Sequence, residues 1–260
     1  MNLYSYCGNN SLNLVDPSGL TPITDSDLDI LLTIGENYAR LAREGIITDV
    51  EAIAQLADWV VIFTGSEPSD VPDFVDAYTK VASAWLWDGF TFNIVGDIGD
   101  WGAFRNPNYP YSDFWRFADD GFKEEYKENL SDNPDFRVDL PGWRDQSTHF
   151  IGFLGAGYHA SPFEWAANWF LERHESSDDT SPDAPDMLLG TIAIQVGGAL
   201  KTYEMHKMFG VSILYPCPLC EASHCNGLAP NQVGDWIRNN LAEPEICPRH
   251  GIPESECPCP

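Results

Sequence analysis

Basic residues are scarce in this chain: 14 Lys and Arg stand against 40 Asp and Glu in 260 residues, a formal charge of −26. An acidic surface repels phosphates and lacks the cations that release counterions from DNA, so sequence-independent nucleic-acid binding, and with it a nuclease activity, is disfavoured. Only a locally basic or metal-lined cleft would override the net charge. No apolar run reaches the length of a membrane span, and no charged segment leads into an apolar one at the N-terminus, so neither a transmembrane helix nor a signal peptide is expected. Cysteine is nearly missing from the first 216 residues. Six of the seven lie beyond them and describe a local C-terminal element. Internal repeats are missing too.

Apolar residues are not lacking. They make up 43% of the chain, with 9 Trp, 14 Phe and 10 Tyr, ample for a packed core. From Thr24 onward their spacing is helical. Leu28, Leu31, Leu32, Tyr38 and Leu41 share a face, with Gly45 as a stop. Thr48 and Glu51 form a capping box for a second helix running to about Phe63, ended by Gly65. A third helix is expected from about Asp70 to Trp87. Residues 89–118, rich in Gly, Pro, Asn and aromatics, read as an irregular packed loop and a possible sub-boundary. Turn chemistry explains Asp97 and Asp100 within it better than an EF-hand does. A charged helix is expected around Phe117 to Asn129. The fold class expected is mainly α: a helical bundle with an aromatic-rich loop and a small Cys/His-rich tail.

The first twenty residues differ. In "NLYSYCGNNSLNLVDPSGL", Leu12 and Leu14 alternate with polar neighbours before an Asp-Pro turn. This segment resembles the closing segment of the RHS/YD-repeat core, whose last repeat ends in Asp-Pro-x-Gly-Leu. In that family a β-structured shell, often cut by its own aspartyl protease just after the motif, precedes a variable toxin domain. The resemblance implies that Asp16 is the motif's autoproteolysis Asp, that the cut falls after Leu20, and that a payload follows. The shell and the second Asp of the protease pair are not in this sequence. The resemblance also implies two partners, the shell of the parent protein and a cognate immunity protein, and secretion or delivery to a target cell through that parent. The expected organisation is an RHS-core remnant over 1–20, an α-helical effector domain over 21–212 and a Cys/His-rich tail over 213–260.

The chemistry-bearing stretch is "RDQSTHFIGFLGAGYHASPFEWAANWFLERHE". On a helix from Asp145 to His159, the residues Asp145, His149, Gly152, Ala156 and His159 fall within a stripe about 80° wide. Asp186, Gly190, Ala193 and Gly197 form a matching stripe on a later helix, so the two are expected to pack closely over their small residues. This brings Asp186 near Asp145 and His149. A carboxylate beside an imidazole fixes its tautomer and raises its basicity, giving a general base or a metal ligand. His149, Asp145 and Asp186 are therefore the candidate catalytic residues of a hydrolase, working by acid-base or metal-assisted chemistry. The other reading of these residues is a buried polar network that ties helices together. Between the two helices, Ser161, Pro162 and Glu164 look like the capped start of a third, with Phe163, Ala166, Ala167 and Phe170 on one face; His159 reads as structural. The Asp-x-x-x-His-Phe start also looks similar to helical C-terminal domains of polymorphic toxins.

In the tail, Cys217-Pro-Leu-Cys220 and Cys247-Pro-Arg-His250 repeat one Cys-Pro-x-ligand spacing, which suits two turns converging on a structural zinc. His224, Cys225, Cys257 and Cys259 are further candidates. Disulfides or a redox thiol are the alternatives. One amphipathic helix, about Asn231 to Leu241, fits between the pairs. The functional expectation is thus an RHS-type toxin or effector acting on a target other than nucleic acid. Its rival is a noncatalytic binding or adaptor module with a zinc tail.

Overall fold

The structure of the chain is a computed structural model that describes residues 23–83, 121–127, 146–161, 163–175, 184–209 and 226–244. These residues form seven α-helices and no strand beyond an isolated bridge. The helices are α1 (Asp25–Arg43), α2 (Asp49–Thr64), α3 (Val71–Ser83), α4 (Gln146–Ala160), α5 (Glu164–Glu175), α6 (Ala184–Phe209) and α7 (Val233–Asn240). The architecture is the mainly α, helical-bundle fold expected from the apolar spacing. The shell remnant 1–20 and the loop 89–118 lie outside the described residues, as do Gly210 to Cys225 and the chain after Pro244.

Side chains set the helix starts. Thr24 accepts the Asp27 N–H, while the Asp27 carboxylate accepts the Thr24 N–H, so each satisfies a donor the first turn leaves unpaired. Thr48 caps α2 by accepting the Glu51 N–H at 3.1 Å. Glu51 does not return the favour: its carboxylate accepts from Gln55 Nε2 at 2.6 Å and from Arg238 Nε at 2.9 Å. The expected capping box is therefore half made, because a cation from α7 claims its acid.

The first three helices pack as successive neighbours. Trp59 Nε1 donates to the Tyr38 hydroxyl at 2.9 Å, joining α1 to α2. Tyr78 donates to the Ile53 carbonyl at 2.8 Å, joining α3 to α2. Inside tail residues 213–260, α7 lays Val233, Ile237 and Leu241 into the common core against α2. Arg238 fixes it there through Glu51 and Asp58, and Trp236 stacks on Phe150 with ring centroids 6.2 Å apart.

One expected helix is not seen where it is described. Instead of a helix through Phe117 to Asn129, residues 121–127 hold a left-handed Gly121 (φ +79°), a bridge from Phe122 to Ala242 and a 3₁₀ turn over Glu124–Tyr126. The charge pattern looked helical, but the segment is anchored by its apolar residues. Phe122 and Tyr126 are buried, and Lys123 N–H and Glu243 N–H bond across to Leu241 and Gly121 carbonyls. A side chain at Gly121 would strike Thr48, so the turn also packs on the start of α2.

At the centre, α4 and α6 pack more extensively than any other pair. They are parallel, since Gln146 meets Asp186 at one end and Tyr158 meets Glu204 at the other. Small residues permit the approach. A Cβ on Gly157 would collide with the Ile194 carbonyl oxygen, and one on Gly197 with that of Leu154. The stripe expected on α6 is thus the contact surface. On α4, Gly157 lies at this contact.

Candidate functional site

The paired starts of α4 and α6 bring His149 and Asp186 together, as the two stripes required. The contact runs through the backbone. His149 Nε2 lies 3.0 Å from the Asp186 carbonyl oxygen, and since a carbonyl only accepts, Nε2 carries the proton. The Asp186 carboxylate goes elsewhere, accepting from Gln146 Nε2 at 2.5 Å. Asp145, the third expected member, lies outside the described residues.

The α4 side of this junction is buried, while Asp186 is half-buried. His149 is 8% exposed and Gln146 1%. Phe153, one turn on, tilts against the imidazole with ring centroids 4.7 Å apart. Opposite the ring stands Gly190, where a Cβ would sit 2.9 Å from His149 Nε2 and closer still to Leu171. A glycine at this place is what admits both side chains. Burial pushes the Asp186 carboxyl above its ordinary range, partly offset by the Gln146 hydrogen bond, which favours the ionised form. Among the described residues, Gln146 Oε1 is buried without a hydrogen-bond partner.

Gln146 was missed in the sequence. A signal existed, because it stands three residues before His149 and shares its side of the helix; its neighbour Asp145 drew attention as the more chemically active side chain.

The far end of the same helix pair holds a second polar group. The Tyr158 hydroxyl donates to Glu204 Oε2 at 2.6 Å, Lys201 Nζ donates to the same oxygen at 2.8 Å, and its ammonium lies 4.9 Å from the Tyr158 ring centre. Burial, then the adjoining Glu204, raises the Tyr158 hydroxyl far above its ordinary value, so it stays a proton donor. His159 Nε2 lies 3.4 Å from Asp76 Oδ1, joining α4 to α3. Both groups cross-link helices.

Exposed apolar side chains concentrate elsewhere. Phe163 is 60% exposed, Trp165 72% and Trp169 44%. The sequence put Phe163 on the same face as Ala167. The structure starts α5 at Glu164, so Phe163 precedes the helix and escapes its phase. The inward seam of α5 is Ala167 and Leu171, and Leu171 fits against Gly190.

Asp16 and the tail candidates Cys217, Cys220, Cys247, His250, His224, Cys225, Cys257 and Cys259 lie outside the described residues. Among the described residues, no group of three or more His, Cys, Asp or Glu side chains is placed to hold a metal ion. No described helix is long and apolar enough to cross a membrane. No protein-family model matches the chain, and neither the curated proteins nor the solved structures contain a significant match to it.

Proposed function

We propose that the chain is the C-terminal effector module of an RHS-type protein, delivered through its parent, and that it acts by binding its target. The RHS part rests on the Asp-Pro-Ser-Gly-Leu segment at residues 16–20. The binding part rests on one observation: the imidazole of His149 is buried, and its Nε2–H is committed to a main-chain acceptor. An imidazole so held clamps the start of α6 to α4. Removing it takes away the cross-helix hydrogen bond to the Asp186 carbonyl, which keeps its intrahelical donor, and leaves a cavity beside Phe153.

A hydrolytic reading keeps one specific support. A carboxyl raised by burial, next to a buried histidine, is the sort of pairing that acid-base catalysis uses. The two readings separate in one experiment, growth inhibition by the full chain expressed in bacterial cytoplasm and periplasm. On the binding reading, Asp186→Asn keeps inhibition and His149→Ala keeps it at temperatures where the variant is folded. Loss of inhibition in a folded Asp186→Asn chain of unchanged stability would establish the hydrolase instead. A cognate immunity protein is the proposed antagonist, and a structural zinc held by Cys217, Cys220, Cys247 and His250 the proposed staple of the tail.

A further inference from the structure

We propose that the outward face of α5, carrying Trp165 and Trp169, is the docking surface, and that its occupant is a basic protein surface bearing Lys and Arg side chains. This rests on the binding reading above and names the partner's chemistry.

Trp165 and Trp169 are one turn apart and form a single stripe. They stand nearly opposite Ala167 and Leu171, the side chains α5 buries against the bundle, so they face away from the core. Phe163 adds a third exposed ring just before the helix, and Glu172 is exposed one turn beyond Trp169. Singly exposed apolar residues are ordinary, whereas two exposed Trp one turn apart on one helix face form a stripe of the kind that marks contact sites. Tryptophan is also the side chain most enriched where binding energy concentrates.

Net charge selects the occupant. A second copy would bring another −26, an anionic bilayer carries the same sign, and so does nucleic acid; each is repelled. A surface rich in Lys and Arg is attracted at long range by the 40 acidic residues, and at contact its cations lie over indole faces. Long-range attraction sets the encounter, and the Trp stripe supplies the specific contact.

The test uses the full chain, with calorimetric titration at physiological salt against three probes. These are an amphipathic peptide of leucine, lysine and arginine, its glutamate counterpart, and vesicles of phosphatidylcholine with phosphatidylglycerol. The basic peptide should bind. The Trp165→Ser/Trp169→Ser chain should bind it at least about tenfold more weakly, and Ile62→Ser, an exposed apolar change on α2, should bind as wild type. The glutamate peptide and the vesicles should not bind. Should the double variant fail to fold, Trp165→Lys alone, which sets like charge against the peptide, should give the same loss. Wild-type affinity in the tryptophan variants would overturn the proposal, as would Trp-dependent binding to vesicles or Trp-dependent self-association in sedimentation. If a folded His149→Ala chain binds the peptide but no longer inhibits growth, the binding reading falls and the surface stands. If inhibition survives His149→Ala while the tryptophan variants bind peptide normally, the surface falls and the reading stands.

Discussion

Helices α4 and α5 follow one another within thirty residues and both are rich in aromatics, yet they put them to opposite uses. Every residue of α4 from His149 to Tyr158 is buried. The helix runs through the middle of the bundle, and even its imidazole and phenol are spent on α6. In α5 only Ala167 and Leu171 reach deep burial among its described side chains, while both Trp residues point outward. The difference teaches that polar groups on a central helix are read first as cross-links, and bulky rings on a peripheral helix first as contacts. His149 bonds across to α6, whereas Trp165 and Trp169 face outward.

Four outcomes would break or sharpen this contrast. The largest concerns the seam itself: Gly197→Val drives side-chain atoms into the Leu154 carbonyl and should cost about 4 kcal/mol or prevent folding, as read by urea denaturation. His149→Ala comes next, at about 2–3 kcal/mol, from the cavity beside Phe153 and the lost cross-helix hydrogen bond to the Asp186 carbonyl.

Asp186→Asn should be milder and depend on pH. A carboxyl whose folded pKa is raised binds its proton more tightly in the folded state. It therefore disfavours folding as pH rises from the ordinary carboxyl value of 3.8 through the raised one. The asparagine has no such titration. It should match or exceed wild-type stability above that window and lose its advantage below it, measured as the difference in Tm between the two proteins from pH 3.5 to pH 8 at intervals of about half a unit. A variant less stable than wild type at neutral pH would show that the ionised carboxylate favours folding. The smallest effect belongs to α5: Trp165→Ser and Trp169→Ser should each stay within about 0.5 kcal/mol of wild type. A larger loss would mean that the two rings are packed in solution.

Much of the bundle was legible because its signals are local. Thr24 and Thr48 mark helix starts, Gly45 and Gly65 follow helix ends, and the small-residue stripe of α6 pointed correctly at a close partner. What failed to show depends on three-dimensional competition. Glu51 looked like half of a capping box until Arg238, 187 residues away, took its carboxylate. The segment at Gly121 looked helical by charge, yet its two buried rings and a left-handed glycine dock it as a turn. At the candidate site, the meeting of His149 with Asp186 could be anticipated from helical spacing alone. That their bond uses a backbone carbonyl, with Gln146 taking the carboxylate, could not, because side-chain periodicity carries no information about main-chain acceptors.

The tail offers a separate check. If Cys217, Cys220, Cys247 and His250 hold zinc, purified native protein should contain about one metal per chain. Chelation should then expose the cysteines to thiol reagents, and a chain with neither zinc nor free thiols would carry disulfides instead.

The most direct test of the account is growth inhibition by the full-length His149→Ala chain, scored per folded molecule at a temperature below its unfolding transition. Inhibition equal to wild type, alongside a lowered Tm, is the expected result. Inhibition abolished in a chain that is folded, as judged by circular dichroism, and as stable as wild type would contradict it and return His149 to catalysis.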